Sequence, residues 1–173
     1  GGDEGYASNN SYIYNNTIVI NRTNSPYATA IDLKANNTRV FNNIFYSING
    51  SSIGTKQVNV RDDNISMTNN LFYGNIDSRF INLDSDSIDK NPHFYNEELN
   101  NEKGYQLLKE SGAINSGIPY SGRFSHPAIP TSESVIFSNV ESIPTTDFFG
   151  HKLNINSTPN IGASNAKNGE IIN

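Results

Sequence analysis

Lys34 and Arg61 close two matching tetrads, Ile31-Asp-Leu-Lys34 and Val58-Asn-Val-Arg61, set 27 residues apart. On a strand the apolar members of such a tetrad face one way and their neighbours the other, so Asp32 and Lys34 share a solvent side with Asn59 and Arg61. Phe80-Ile-Asn-Leu-Asp84, slightly shortened in phase, adds Asn82 and Asp84 to that side. Two cations stacked on neighbouring strands repel unless carboxylates or an anionic ligand lie beside them. The same residues also suit an ordinary solvated face. A hydrolase would instead need two carboxylates across a sugar. Asp32 and Asp84, two strands apart, would lie about 10 Å from each other, at the long end for an inverting pair. Asp84-Ser-Asp86-Ser-Ile-Asp89 offers alternating oxygen ligands that suit calcium, without the Gly and distal Glu of an EF-hand loop; a polar turn is the other reading. Asp62-Asp63 has the same two readings. His93, His126 and His151 lack the short spacings of a zinc helix. Tyr6, Tyr46, Tyr73, Tyr95 and Tyr120 are candidate sugar-stacking platforms, or rings that pack over the chain's turns.

The elements that must position these residues repeat. Tyr12-Ile-Tyr-Asn-Asn-Thr-Ile-Val-Ile20, Arg39-Val-Phe-Asn-Asn-Ile-Phe-Tyr-Ser47 and Ser66-Met-Thr-Asn-Asn-Leu-Phe-Tyr-Gly74 align on an Asn-Asn pair, with starts at Asn15, Asn42 and Asn69 and a period of 27. The two tetrads share that phase. A unit of this length cannot close a core alone, so each strand is expected to pair with its equivalent in the next unit, about 4.8 Å away. The expectation is a parallel β-helix of three to four coils of 27 residues, with Ile13, Ile31, Val40, Val58 and Met67 inside. Asn15, Asn42 and Asn69 are expected to take left-handed turns and to pass a side-chain amide ladder from coil to coil.

Composition excludes several classes. Asn is the outlying residue, 29 of 173, as a chain of short strands and tight turns requires. There is no Cys, hence no disulfide framework, thiolate metal site or Cys nucleophile. A net charge of −5 with scattered Lys and Arg argues against a nucleic-acid partner. The longest apolar stretches, such as Thr17-Ile-Val-Ile20, fall far short of the ~20 residues of a membrane span. The opening Gly-Gly-Asp-Glu has no leader pattern, which suits a mature chain or a piece of a longer one.

Further along, Asn91-Pro-His-Phe94, Tyr105-Gln-Leu-Leu-Lys-Glu-Ser-Gly-Ala-Ile-Asn-Ser-Gly117, Asp147-Phe-Phe-Gly150 and Pro159-Asn-Ile-Gly-Ala163 stand in order. With the Asn-Asn turns, they resemble the right-handed parallel β-helix superfamily, in particular the closing segment of its secreted bacterial members. Asn91, Gly112 and Asn160 depart from that pattern, which has Asp, Pro and Asp there. The resemblance implies coils over 1–90, a closing segment over 91–173 with a long loop at about 118–146, and a possible strand at Val135-Ile-Phe137. It also implies the C-terminal part of a longer secreted, cell-surface or periplasmic protein acting on extracellular polysaccharide, as a polysaccharide lyase or glycoside hydrolase. In lyases of that superfamily a Lys or Arg removes the proton next to a uronate, which requires a base whose pKa is lowered by nearby positive charge. On that footing Lys34 and Arg61 are the catalytic candidates, Asp32, Asn59 and Asn82 bind substrate, and Asp84 and Asp86 are the metal candidates. No cofactor is required, with calcium the optional one. The expected partners are a polysaccharide or oligosaccharide and any upstream coils. A non-catalytic carbohydrate-binding or adhesive solenoid and a structural C-terminal cap of a larger enzyme are the alternatives.

Overall fold

The Asn-Asn pairs set the backbone. Asn15, Asn42 and Asn69 adopt φ of 53°, 55° and 55°, the left-handed region that Asn enters more readily than other side-chain-bearing residues. Each pair therefore bends the chain between two strands. The computed structural model describes residues 8–9, 11–21, 35–36, 38–48, 65–99, 101–119, 144–154, 156–167 and 171. In these, β1 (Ser8–Asn9) pairs with β4 (Ala35–Asn36). Before the turns, β2 (Tyr12–Tyr14), β5 (Thr38–Phe41) and β7 (Ile65–Thr68) form one parallel sheet in the order β2-β5-β7. After them, β3 (Thr17–Asn21), β6 (Ile44–Ile48) and β8 (Leu71–Gly74) form a second, β3-β6-β8. The register is that of the sequence alignment: Ile13 lies opposite Val40 and Val40 opposite Met67, while Phe45 lies opposite Phe72.

Alternation along β6 divides the core. Phe45 points between the sheets with Val40, Met67 and Phe72, and Ile13 and Ile18 pack partly buried against them. Ile44 points the other way, into a second cluster with Leu71, Phe94, Leu107, Ala113 and Ile161. Both faces of β6 are thus covered, as a parallel sheet requires. In-register rings stack along the pairing direction, Phe45 on Phe72 at 5.3 Å and Tyr14 on Phe41 at 5.3 Å.

The expected right-handed parallel β-helix is overturned. Among the described residues the parallel pairs amount to two separate three-stranded sheets and one two-stranded sheet, beside a four-residue helix and two 3₁₀ turns, and no sheet closes into a solenoid. The result is a small mixed arrangement of short parallel sheets and helical turns. The physical reason lies after β8, where the repeat gives way. Phe80-Ile-Asn-Leu-Asp84, expected as a strand, begins inside α1 (Ser78–Ile81). Asp77 caps this helix by accepting from the Arg79 N–H at 2.8 Å. Helical geometry turns Phe80 inward, where its ring meets Phe45 and Phe72 edge-on at 5.0 and 5.3 Å. Beyond it only single-residue parallel bridges remain, Met67 to Asp84 and Leu71 to Ile88. Ile31, Val58, the possible strand at 135–137 and most of the expected loop, residues 120–143, lie outside the described residues.

The amide ladder differs in part from expectation: Asn69 donates its side-chain N–H to Asn42 Oδ1 at 3.4 Å, but the closer contacts run through the second Asn of each pair. Asn16 donates its backbone and side-chain N–H to Asn43 Oδ1 at 3.0 and 2.9 Å, and Asn43 does the same to Asn70 Oδ1 at 2.9 Å each. Asn70 in turn donates both to Asp84 Oδ2, at 3.0 and 2.6 Å. The first Asn, turned by its left-handed backbone, holds the C-terminal segment instead. Asn15 donates to the carbonyls of Asn160 and Gly162, Asn42 exchanges two bonds with the Ile118 backbone, and Asn69 donates to Ser116 O. Gly162 donates its own N–H to Asn42 O at 2.8 Å. Its φ is 89°, and a Cβ there would lie 2.6 Å from Ile44 Cδ1, so only glycine admits this approach.

Candidate functional site

Of the residues singled out in the sequence, Lys34, Arg61, Asp32 and Asn59 lie outside the described residues, as do Asp62, Asp63, His126, Tyr6 and Tyr120. Asn82 is exposed and forms the C-cap of α1, its N–H donated to Ser78 O at 2.8 Å. Asp84, 7% exposed, is the buried acceptor that ends the amide ladder, and its second oxygen accepts from Asp86 N at 2.9 Å. Asp86 Oδ2 accepts from the hydroxyls of Thr68 and Ser85, both at 2.9 Å. Hydrogen-bond donors thus already occupy both Asp84 oxygens and Asp86 Oδ2. Among the described residues no group of three or more His, Asp or Glu gathers that could hold a metal. Tyr46 and Tyr73 pack on each other at 5.5 Å, and Tyr95 is exposed.

A different set of residues comes together. A cleft of about 490 Å³ is lined by Ile13, Asn16, Thr17 and Ile18 from the first turn, Glu102 and Tyr105 from a 3₁₀ turn (Glu102–Tyr105), Phe148 and Phe149, and Ala163. Its volume lies within the roughly 300–1,000 Å³ usual for small-molecule sites. Each wall is fixed by its own local chemistry.

The Tyr105 wall is held by a chain of rings. Asn101 caps the 3₁₀ turn by accepting from Lys103 N at 3.0 Å. Tyr105 meets the buried Phe94 edge-on at 5.3 Å, and Phe94 packs against Tyr46 at 5.8 Å. Tyr46 donates its hydroxyl to Glu97 Oε2 at 3.0 Å. Burial, that hydrogen bond and the Glu97 charge push the Tyr46 phenol well above the usual range; burial and then Glu97 also push Tyr105 up. Both phenols are therefore neutral donors at any physiological pH. Glu102, at the start of the turn, is exposed, and its carboxylate has no hydrogen-bond or ion-pair partner among the described residues.

The Phe148–Phe149 wall depends on one carboxylate. Asp147 Oδ1 accepts from Phe149 N at 2.9 Å and His151 N at 2.8 Å; Oδ2 accepts from Asn165 N and lies 2.7 Å from His151 Nδ1. The Asp147 side chain is 5% exposed and that of His151 14%. The tight turn this creates ends at Gly150, φ 87°, and leaves Phe148 71% exposed, edge-on to Phe149 at 5.1 Å. A large aromatic left this open stands out among the described rings, most of which, Tyr95 excepted, are covered. At the base of the cleft Ala163 N donates to Thr17 Oγ1 at 3.1 Å, tying the C-terminal segment to the first turn.

These lining residues were not reached from the sequence. Phe148 and Phe149 stood in a recognised motif, and two adjacent large rings in a polar Asp-x-x-Gly turn were the available signal. Nothing local joined them to Asn16 or Glu102. The cleft combines flat apolar rings, a carboxylate without a partner among the described residues and the exposed Asn16 Oδ1, a set suited to a ligand with an apolar face and a hydroxyl-bearing edge. Among the described residues no helix is long and apolar enough to cross a membrane. Comparison with known proteins found no matching family model and no matching curated protein.

Proposed function

We propose that this chain is a carbohydrate-binding part of an extracellular protein that handles polysaccharide, and that the cleft between the first Asn-Asn turn and the Phe148–Phe149 turn holds the glycan. The observation that carries the reading is the shared cleft of Tyr105, Phe148 and Phe149 with the Glu102 carboxylate, which has no partner among the described residues. A sugar ring presents C–H groups on its faces and hydroxyls around its edge; aromatic rings take the former, and a carboxylate or amide takes the latter. Leaving Glu102 free until a hydroxyl arrives avoids the cost of breaking an existing bond.

Binding is favoured over cleavage because Glu102 is the one carboxylate among the described residues lining the cleft, whereas glycoside hydrolysis ordinarily uses two. A lyase reading rests on Lys34 and Arg61 and a hydrolase reading on Asp32 with Asp84; of these only Asp84 is among the described residues. Calcium has no part in the proposed binding, so chelation is expected to leave affinity unchanged.

Phe148→Ala is the direct test. The side chain is largely exposed, so the fold should survive, while an aromatic anchor at a binding surface is worth on the order of 2 kcal/mol, a loss of more than tenfold in affinity. Titration calorimetry against an oligosaccharide panel reads it. Unchanged affinity in a folded variant would remove the cleft from the account.

A further inference from the structure

The charge of the cleft selects among glycans. Resting on the reading above, we infer that the ligand is a neutral polysaccharide of flat-faced, equatorially substituted pyranose units, and that polyuronates are disfavoured. Among the described residues, those lining the cleft include Glu102 and no Lys, Arg or His. The whole chain carries a net charge of −5, so the field around the cleft adds to the local repulsion. A uronate placed against the rings would bring its carboxylate toward Glu102 without a cation between them, and like charges at contact distance disfavour each other.

The rings argue for the shape of the unit. Phe148 and Phe149 stand at 84° to each other, so one flat face and one edge are offered together at the mouth of the cleft. A pyranose with equatorial hydroxyls has C–H groups on both faces and its hydroxyls in the ring plane. With one face on an aromatic ring, its edge hydroxyls are available to the Glu102 carboxylate and Asn16 Oδ1, which line the same cleft. An axial hydroxyl on the stacked face would lift the sugar from the ring and be left without a partner.

The experiment compares affinities of the whole chain for a neutral β-1,4-linked glucan oligosaccharide, polygalacturonate and alginate, at low and moderate salt, with Glu102→Gln, Glu102→Lys and Phe148→Ala variants. The expected result is binding of the neutral oligosaccharide that Phe148→Ala weakens more than tenfold, with uronates at least tenfold weaker. Glu102→Lys should narrow or reverse that gap, and added salt should narrow it in the wild type. Uronates bound as tightly as the neutral ligand, still through Phe148, would overturn this inference and leave the carbohydrate-binding reading intact. No binding of any glycan, or binding indifferent to Phe148→Ala, would overturn both.

Discussion

Asp84 shows what a single change of residue type does to a repeating contact. Asn16, Asn43 and Asn70 each donate two N–H groups to the next side chain, and Asn43 and Asn70 each accept two from the one before, so the ladder has a direction. A carboxylate accepts but does not donate, and it can only end such a ladder. Burial pushes the Asp84 carboxyl above the ordinary carboxylate range, and the hydrogen bonds from Asn70 and Asp86 only partly counter this. A carboxyl whose folded pKa exceeds its unfolded value keeps its proton longer in the folded state. The stability linked to it is full below an unfolded pKa of about 4 and is lost as pH rises through the folded value. Asp84→Asn cannot titrate. The stability of wild type relative to this variant, measured by urea unfolding at several pH values, should therefore increase as pH falls from neutral toward 4. A gap that is constant or that shrinks would show that Asp84 is not desolvated as described. The paired Asn were legible as turn residues from their spacing. Which member carried the ladder was not, because that depends on the side-chain direction set by the left-handed φ of the first.

At the scale of elements, the cleft rests on the turn at Asp147–Gly150. Asp147 accepts three backbone N–H groups from within and beyond the turn, and its contact with His151 closes the remaining side. Asp147→Ala would leave buried donors unpaired, a cost of about 1–3 kcal/mol, and release Phe148 and Phe149 from their positions. The expected outcome is a lower Tm together with glycan affinity reduced about as far as by Phe148→Ala; full affinity in the destabilised variant would mean that the turn does not place the rings. Local signals served well here, since an Asp followed three residues later by Gly reads as a turn. They failed at α1, where the alternation of Phe80, Ile81, Asn82, Leu83 and Asp84 suggested a strand. Asp77 as an N-cap and the inward demand of Phe80 for the space beside Phe45 and Phe72 decided for a helical turn.

For the whole molecule, the parallel register of 27 residues was written in the sequence, but its extent was not. A repeat announces which strands pair, whereas where pairing stops depends on what fills the end of the core, here Phe80 in place of another strand pair. The cleft is less legible still, because its walls come from Ile13 to Ala163 and meet only when Asn15, Asn42 and Asn69 hold the C-terminal segment against the turns. Fold and site are thus joined by the same three side chains. The most direct test of that account is an NMR titration of the whole chain with a neutral β-linked oligosaccharide. Shift changes confined to Asn16, Thr17, Glu102, Tyr105, Phe148, Phe149 and Ala163, and abolished in Phe148→Ala, are the result it predicts. Saturable changes centred elsewhere, or none with any glycan, would contradict it.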